Sequence, residues 1–139
     1  ARVVVGEEVI GSIGPGLAIL VGVRERDADE DADSLAEKAL NLRIFEDEAG
    51  KMNRSARQVA GEFLVVSQFT LYANSTRGRR PSFFEAAGPE LGERLYRRFA
   101  NRLADLGAPV ATGRFGAHML LELVNDGPVT IILDSESRS

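Results

Sequence analysis

One apolar run constrains the fold of this chain more than any other feature. Residues 63–66 read Phe-Leu-Val-Val, with no polar side chain among them. Successive side chains of a strand point to opposite faces of a sheet, so this run needs apolar material on both faces. The run therefore predicts a central strand over residues 62–70 that is covered on both sides.

Other segments of β character lie before and after this strand. Residues 1–10 predict a hairpin whose turn is Gly6-Glu7-Glu8, because valines and an isoleucine flank that turn. Residues 54–61 show no period and are expected to form a loop. Further strands are expected at 17–23, 43–45, 110–113, 119–124 and 129–133.

Two segments predict helices. The first is capped by Asp29 or Asp31 and places apolar residues near helical spacing. The second starts at Pro89 and ends at Gly107, with arginines on its outer face. The apolar positions are Leu35, Ala39, Leu40 and Leu42 in the first helix, and Leu91, Leu95, Phe99, Leu103 and Leu106 in the second. The pattern predicts one α/β domain over residues 1–139, with mixed β-sheets (two sheets, barrel-like) covered by two main helices.

Composition excludes several classes of function. The chain has no cysteine and one histidine, His118, so a thiolate or polyhistidine metal site and a Ser-His triad are hard to build. No apolar run approaches the roughly 18 residues that a bilayer requires. We therefore expect a cytoplasmic protein with no metal and no contact with a membrane.

Charge is unevenly distributed along a chain whose net charge is −4. Acidic residues crowd positions 27–33, and seven arginines crowd positions 77–102. Both groups fit a solvated surface. Alternatively, the arginine-rich half faces a polyanion and the acidic half faces away from it.

The end of the central strand is the first candidate site. Residues 67–71 read Ser-Gln-Phe-Thr-Leu and follow the apolar run directly. A strand that simply ends in a turn explains these polar residues. The functional interpretation is that backbone N–H groups freed at the strand end point into a cleft and bind a developing oxyanion.

Residues 125–130, Asn-Asp-Gly-Pro-Val-Thr, are the second candidate site. Their composition is typical of a hairpin turn between two apolar strands, and periodicity alone favours that interpretation. The other interpretation is a Gly127–Pro128 bond held cis, which is uncommon enough to indicate a purpose.

These two segments resemble the two signature motifs of D-aminoacyl-tRNA deacylases. Supporting stretches agree in order and spacing over nearly the whole chain: Gly14-Pro15-Gly16-Leu17, Arg43-Ile44-Phe45, Gly50-Lys51-Met52-Asn53, Arg77-Gly78, Arg80-Pro81-Ser82-Phe83 and Thr112-Gly113-Arg114-Phe115-Gly116-Ala117 with Met119. Members of the family carry a further N-terminal strand of about ten residues with a Gln-Arg-Val segment. Either the numbering used here omits this strand or the protein is truncated; we expect an omission, because a missing strand would leave an unpaired sheet edge.

The resemblance implies a homodimeric hydrolase that acts in translation quality control. It would proofread tRNA without a cofactor, releasing the amino acid from the 3′ end of D-aminoacyl-tRNA and also of mischarged glycyl-tRNA. The active site would lie at the subunit interface, with Ser67, Gln68, Phe69 and Thr70 as the catalytic segment. We expect the backbone N–H groups of Phe69 and Thr70 to bind the oxyanion. Water attack is favoured over a covalent Thr70, since the motif holds no base for that hydroxyl.

The resemblance also implies how the substrate is selected. Gly127 and Pro128 would direct two backbone carbonyls at the α-carbon, where the side chain of an L-amino acid clashes and the hydrogen of a D-amino acid fits. Glycine would be accepted. Phe115, Met119 and Asn125 would line the substrate pocket, although ordinary core packing explains Phe115 and Met119 equally well.

Three other functions compete with this interpretation. A non-catalytic RNA-binding module needs a basic surface and stacking aromatics, whereas this chain is acidic and only 6% aromatic. A serine-type hydrolase would have to use His118. A purely structural homodimer does not explain the co-occurrence of the two motifs.

Overall fold

The hairpin predicted at the start of the chain is confirmed. The computed structural model describes residues 1–137. Strand β1 (Arg2–Val5) pairs with β2 (Glu8–Ser12) across a turn that contains Gly6, whose φ is 61°. On its other edge β1 pairs with β8 (Leu120–Glu122), and both pairings are antiparallel. The first sheet therefore has the order β2-β1-β8.

A second, parallel sheet contains the predicted central strand. Strand β6 (Glu62–Ser67) lies between β3 (Gly16–Val21) and β7 (Val110–Thr112). Between β3 and β6 along the chain, the short strands β4 (Phe45–Glu46) and β5 (Met52–Arg54) form a hairpin. The apolar run of β6 is in the middle of its sheet because both of its edges are paired.

The alternating side chains of β6 pack into two separate cores. Phe63 and Val65 belong to a cluster on the helix side of the sheet, and both are fully buried. Leu64 and Val66 pack against Val3 and other residues of the first sheet. Both faces of the strand are therefore covered, as the uninterrupted apolar run predicts.

Two helices cover one face of the parallel sheet. Helix α1 (Asp29–Asn41) buries three alanines and Leu40, and helix α2 (Pro89–Asp105) buries the predicted stripe at Leu95, Phe99 and Leu103. The predicted mixed α/β class, with two main sheets and two helices, is confirmed. No helix among residues 1–137 is long and apolar enough to span a bilayer.

The acidic and basic segments meet along the two helices. Three ion pairs join an arginine of α2 to an acid of α1 that lies 65 positions earlier: Arg94–Asp29 at 2.7 Å, Arg98–Asp33 at 2.8 Å and Arg102–Glu37 at 2.7 Å. The Arg98 hydrogen bond lowers the pKa of Asp33. For these helical arginines, the hypothesis that they face a polyanion while the acids face away is wrong.

Several predicted boundaries differ from the structure. The central strand stops at Ser67, and residues 69–72 form a 3₁₀ turn instead of continuing to Thr70. Ala28 is the N-cap of α1, and the Asp31 carboxylate accepts from the Ala28 N–H at 2.8 Å instead of occupying the cap itself. Leu42 lies just beyond the helix as its C-cap, and β5 was not predicted.

The strand predicted at 129–133 is absent from the described part of the chain. A strand needs a neighbouring edge for its backbone groups, and these residues pair with none of the strands in residues 1–137. Ile132 is 90% exposed there, whereas Leu133 returns to the helix-side core. The segment therefore runs over the surface until Leu133.

Candidate active site

The 3₁₀ turn Phe69–Tyr72 is continuous with the buried core. It follows β6 after one intervening residue, Gln68, whose backbone N–H donates to the Val21 carbonyl at 2.8 Å. Two residues before the strand ends, the Val65 carbonyl accepts from the Gly113 N–H at 3.1 Å and from the Tyr96 hydroxyl at 3.2 Å. Neighbours on both sides therefore fix the end of the strand and the start of the turn.

The turn leaves two backbone donors available. The first N–H groups of a helical turn have no acceptor inside the turn. The amides of Phe69 and Thr70 occupy these positions and donate no hydrogen bond within residues 1–137. Both residues are exposed. The turn thus supplies two adjacent N–H groups that have no acceptor within residues 1–137 and can bind a negatively charged oxygen.

Gly22 allows the turn to pack this closely, and sequence reasoning did not single it out. A Cβ added at Gly22 would lie 3.0 Å from the Leu71 Cβ and 3.3 Å from the Gln68 carbonyl oxygen. The signal available in the sequence is a glycine inside the apolar run 17–23, which often marks a close approach of another backbone.

The side chains of the turn supply no base. The Gln68 side-chain amide donates to the Thr70 hydroxyl, and a carboxamide does not take up a proton at neutral pH. Burial raises the pKa of Tyr72, and the nearby Asp27 and Asp134 carboxylates raise it further. The phenol is therefore protonated at neutral pH. Ser67, half-buried, ends the strand opposite Val21.

The loop 125–130 is shaped by one of its own side chains. The Asn125 carbonyl oxygen accepts from the Val129 N–H at 2.8 Å, and its amide donates to the Thr130 hydroxyl at 3.1 Å. Between these ends the Gly127–Pro128 peptide bond is cis, and Gly127 has a φ of 148°. This φ favours glycine, and a Cβ there would lie 2.8 Å from the Val129 Cγ2.

The turn and the loop are not joined within this chain. No hydrogen bond connects residues 67–72 with residues 125–130 in the part of the molecule described. Asn125, Gly127 and Pro128 are exposed. Large apolar side chains on either side of the loop also face solvent, at Leu120, Leu123, Val124, Ile131 and Ile132; we call these five residues the C-terminal apolar surface.

Phe115 and Met119 lie in different cores. Phe115 packs against the helix-side cluster with its ring centroid 6.1 Å from that of Tyr96. Met119 packs against the other cluster, formed by Val3, Leu64 and Val66, and its sulfur accepts from the Arg114 N–H at 3.4 Å. Both are half-buried, so each combines a packing role with a face that remains accessible.

The alternative chemistries find little support in the arrangement of side chains. His118 is exposed and makes no hydrogen bond to a serine among the residues described. Within residues 1–137, no three His, Cys, Asp or Glu side chains gather in a group that could hold a metal ion.

Comparisons of this chain with a family model and with individual relatives agree on one family. The family model described as D-Tyr-tRNA(Tyr) deacylase matches residues 1–134. A protein of Symbiobacterium thermophilum named D-aminoacyl-tRNA deacylase is 61% identical, over 98% of this chain and 90% of the relative. A protein of the same name from Thermotoga petrophila is 56% identical, over 97% of this chain and 91% of its own length.

Solved structures show the same fold. One described as c-Myc DNA Unwinding Element Binding Protein superposes with a TM-score of 0.90 at 40% identity, covering 96% of this chain and 91% of that one. Another, described as a probable eukaryotic D-amino acid tRNA deacylase, has a TM-score of 0.70 at 18% identity and covers 87% of each chain. The second likeness concerns the fold alone.

Fold and sequence together place the chain in a class, that of hydrolases that act on an ester bond. The chain belongs to the D-Tyr-tRNA(Tyr) deacylase family. The predicted family and the predicted enzyme class are therefore confirmed.

Proposed function

We propose that this chain hydrolyses the ester between a D-amino acid, or glycine, and the 3′ end of tRNA, and that it rejects L-aminoacyl-tRNA. The observation that carries the proposal is the pair of open N–H groups at Phe69 and Thr70, held at the end of a buried strand. Family membership supplies the substrate class, since the relatives are named D-aminoacyl-tRNA deacylases. Such an enzyme acts in the cytoplasm, in the quality control of translation.

The proposed reaction is attack of water on the ester carbonyl. The carbonyl oxygen becomes an oxyanion, and the amides of Phe69 and Thr70 stabilise it in the tetrahedral intermediate. The bond from carbon to the ribose oxygen then breaks, and the proton lost by the water passes to that oxygen. An aminoacyl ester is already activated, so positioning and oxyanion binding suffice. The neighbouring ribose hydroxyl is available to relay the proton.

Thr70 is not the nucleophile in this proposal. Its hydroxyl is held by the Gln68 side chain, which cannot remove a proton from it. Ser67 and Gln68 instead position the turn, through the end of the strand and through the Val21 hydrogen bond. Phe115 and Met119 are proposed to present their accessible faces to the substrate.

Chiral selection is assigned to the backbone of Gly127 and Pro128. Their carbonyls would lie against the α-carbon, where there is room for hydrogen but not for a side chain. The hydrogen bonds of Asn125, which join the first residue of the loop to its last two, support this role, because a steric filter must be rigid. Glycine presents only hydrogen at this position and is therefore a substrate.

A second copy of the chain is proposed to bring the loop to the turn. The loop has no hydrogen bond to the turn within the described residues of its own chain, and the C-terminal apolar surface beside it is open, with Val124 91% and Ile132 90% exposed. Covering such side chains is favourable by roughly 25 cal/mol per Å². A homodimer that buries this surface would complete two equivalent sites.

The test is the ratio of kcat/KM on D- and L-aminoacyl-tRNA. For the native chain we expect at least several hundred, the value for steric exclusion worth about 3–4 kcal/mol. In Gly127→Ala the ratio falls toward one, because the new Cβ meets the Val129 Cγ2 at 2.8 Å and its φ of 148° is rarely adopted by alanine. The matched control is Gly88→Ala, where a Cβ meets nothing within 4 Å.

Two results would contradict parts of the proposal. Absence of hydrolysis of any D-aminoacyl-tRNA by the native dimer would overturn the activity itself. A folded Gly127→Ala variant that keeps the native D-to-L ratio would remove selection from the loop. The selector would then lie among the side chains around Ser67, Gln68 and Met119.

A further inference from the structure

The loop that follows the turn carries a local excess of positive charge. Between Glu62 and Glu85 the chain has no acidic residue over 22 positions, and its three charged side chains are Arg77, Arg79 and Arg80. All three are exposed. A local charge of +3 in a chain whose net charge is −4 marks this loop as an electropositive patch on an acidic protein.

These arginines differ from those of α2 in having no acidic partner among the described residues. Arg94, Arg98 and Arg102 are each engaged by an acid of α1, and Arg97 binds Glu93 at 2.8 Å. The three loop arginines form no hydrogen bond or ion pair with any residue of the described chain. Their charge is not neutralised by those residues and is available to an external anion.

The loop is attached closely to the candidate active site. Asn74 and Ser82 exchange two backbone hydrogen bonds, of 2.7 and 2.8 Å, and so form a neck below residues 75–81. At the neck, the ring of Phe83 lies 5.0 Å from the ring of Phe69, centroid to centroid. An arm of three or four residues reaches about 10–13 Å beyond its neck. The arginines therefore lie within about 10–13 Å of a neck whose adjoining residue, Phe83, contacts Phe69 of the turn.

We propose that Arg77, Arg79 and Arg80 form a phosphate-binding arm that grips the acceptor strand of the tRNA while its 3′ ester lies at the turn. The planar guanidinium matches phosphate oxygens in a bidentate way. The arm adds affinity without reading sequence, as phosphate contacts do. This inference rests on the proposed function, since it assumes that the ester is bound at Phe69 and Thr70.

The test is binding of deacylated tRNA, measured against salt concentration, by Arg77→Gln/Arg79→Gln. Its control is Lys38→Gln/Arg57→Gln, which removes the same charge from exposed positions on α1 and in the loop 55–60. Each phosphate contact contributes about 0.7–0.9 to the slope of log K against log salt. The loop variant should lower that slope by about 1.4–1.8 and weaken binding about 25- to 60-fold at ~0.1 M salt, whereas the control changes binding less than about threefold.

A second readout separates this proposal from the proposed function. The ratio of kcat/KM on D-aminoacyl-tRNA to kcat/KM on D-aminoacyl-adenosine, an ester without phosphates, should fall by the same factor in the loop variant. If the two double variants bind tRNA equally weakly, the loss comes from net charge alone, and the proposed phosphate-binding arm is wrong. An unchanged salt slope in the loop variant would also overturn it. Failure of the native protein to hydrolyse either ester would instead count against the proposed activity, and the tRNA binding result would still decide the arm.

Discussion

The two halves of the candidate site are built in opposite ways. The turn at 69–72 follows a strand whose Phe63 and Val65 are fully buried, and the intervening Gln68 is hydrogen-bonded to Val21 of the neighbouring strand β3. The loop at 125–130 is exposed, and what fixes its shape is internal, the two hydrogen bonds of Asn125. The core fixes the position of the turn, whereas the loop fixes only its own conformation.

This difference fits the proposed division between chemistry and selection. In that proposal, oxyanion binding depends on donors held rigidly before the substrate arrives, and the turn directly follows a buried strand that holds it in place. A filter for chirality can be shaped separately and then brought to the site by association. The C-terminal apolar surface on either side of the loop is the means by which that association would be stabilised.

The largest effect on activity is expected from removing a donor of the turn. Phe69→Pro deletes the N–H at the first position of the 3₁₀ turn, where proline is sterically tolerated and no internal hydrogen bond is lost among the described residues. Loss of one oxyanion donor typically costs about 10²–10³ in kcat. Single-turnover deacylation of D-aminoacyl-tRNA measures it. The control Phe69→Ala removes the ring but keeps the N–H; an equal loss in both variants would refute donor binding.

The next largest effect, on the dissociation constant of the dimer, is expected at the C-terminal apolar surface beside the loop. Val124→Ser removes an apolar side chain that is 91% exposed, so the free energy of unfolding of the monomer should hardly change. Burying the valine in both copies is worth about 3 kcal/mol in all, which predicts that the dimer dissociation constant rises about a hundredfold. Sedimentation over a concentration series measures it, with Val59→Ser as the control. A dimer as tight as the native one would place the interface elsewhere.

A smaller effect is expected at Asn125, whose side chain holds the loop in its conformation. Asn125→Ala removes hydrogen bonds to Val129 and Thr130, each worth about 0.5–1.5 kcal/mol, so kcat/KM should fall about tenfold. Asn125→Asp keeps an acceptor for the Val129 N–H and should recover most of the loss. If the two variants are equally impaired, the amide acts on the substrate and not on the loop.

The smallest effect is expected at the Thr70 hydroxyl. Thr70→Ala keeps the backbone N–H and removes only the group bonded by Gln68, so deacylation should fall less than about tenfold. A nucleophile would cost about 10⁴-fold or more. Kinetics of the folded variant, checked by its thermal midpoint, distinguish the two outcomes.

The sequence predicted the parts of the molecule that local pattern determines. The uninterrupted run at 63–66 indicated a strand covered on both faces, and the stripe through Leu95, Phe99 and Leu103 indicated α2; both are confirmed. The turn at 69–72 was missed because polar residues after a strand do not say whether the chain stays extended. One contributor is Gly22, 47 positions before the turn begins, where the lack of a Cβ leaves room for Leu71 and for the Gln68 carbonyl.

The pairing of charged segments could not be predicted for a similar reason. Arginines on α2 and acids on α1 are 65 positions apart, and only the packing of the two helices brings them together. Equally, the strand predicted at 129–133 has the composition of a strand but no partner edge within residues 1–137. Periodicity reports the preference of a segment, whereas pairing depends on what lies beside it.

The most direct test of the account is complementation between two impaired variants. Phe69→Pro removes a donor of the turn. Gly127→Ala distorts the loop and, because the same loop shapes the pocket, is expected to lower kcat/KM on D-aminoacyl-tRNA as well as the D-to-L ratio. Deacylation of D-aminoacyl-tRNA is assayed for each variant alone and after co-refolding in equal amounts. If the turn of one subunit works with the loop of its partner, each heterodimer contains one intact site and one doubly impaired site. Random assembly makes half of the dimers mixed, so the mixture should regain about a quarter of native activity. A mixture that forms heterodimers yet is no more active than the mean of the two variants would show that both segments act within one subunit.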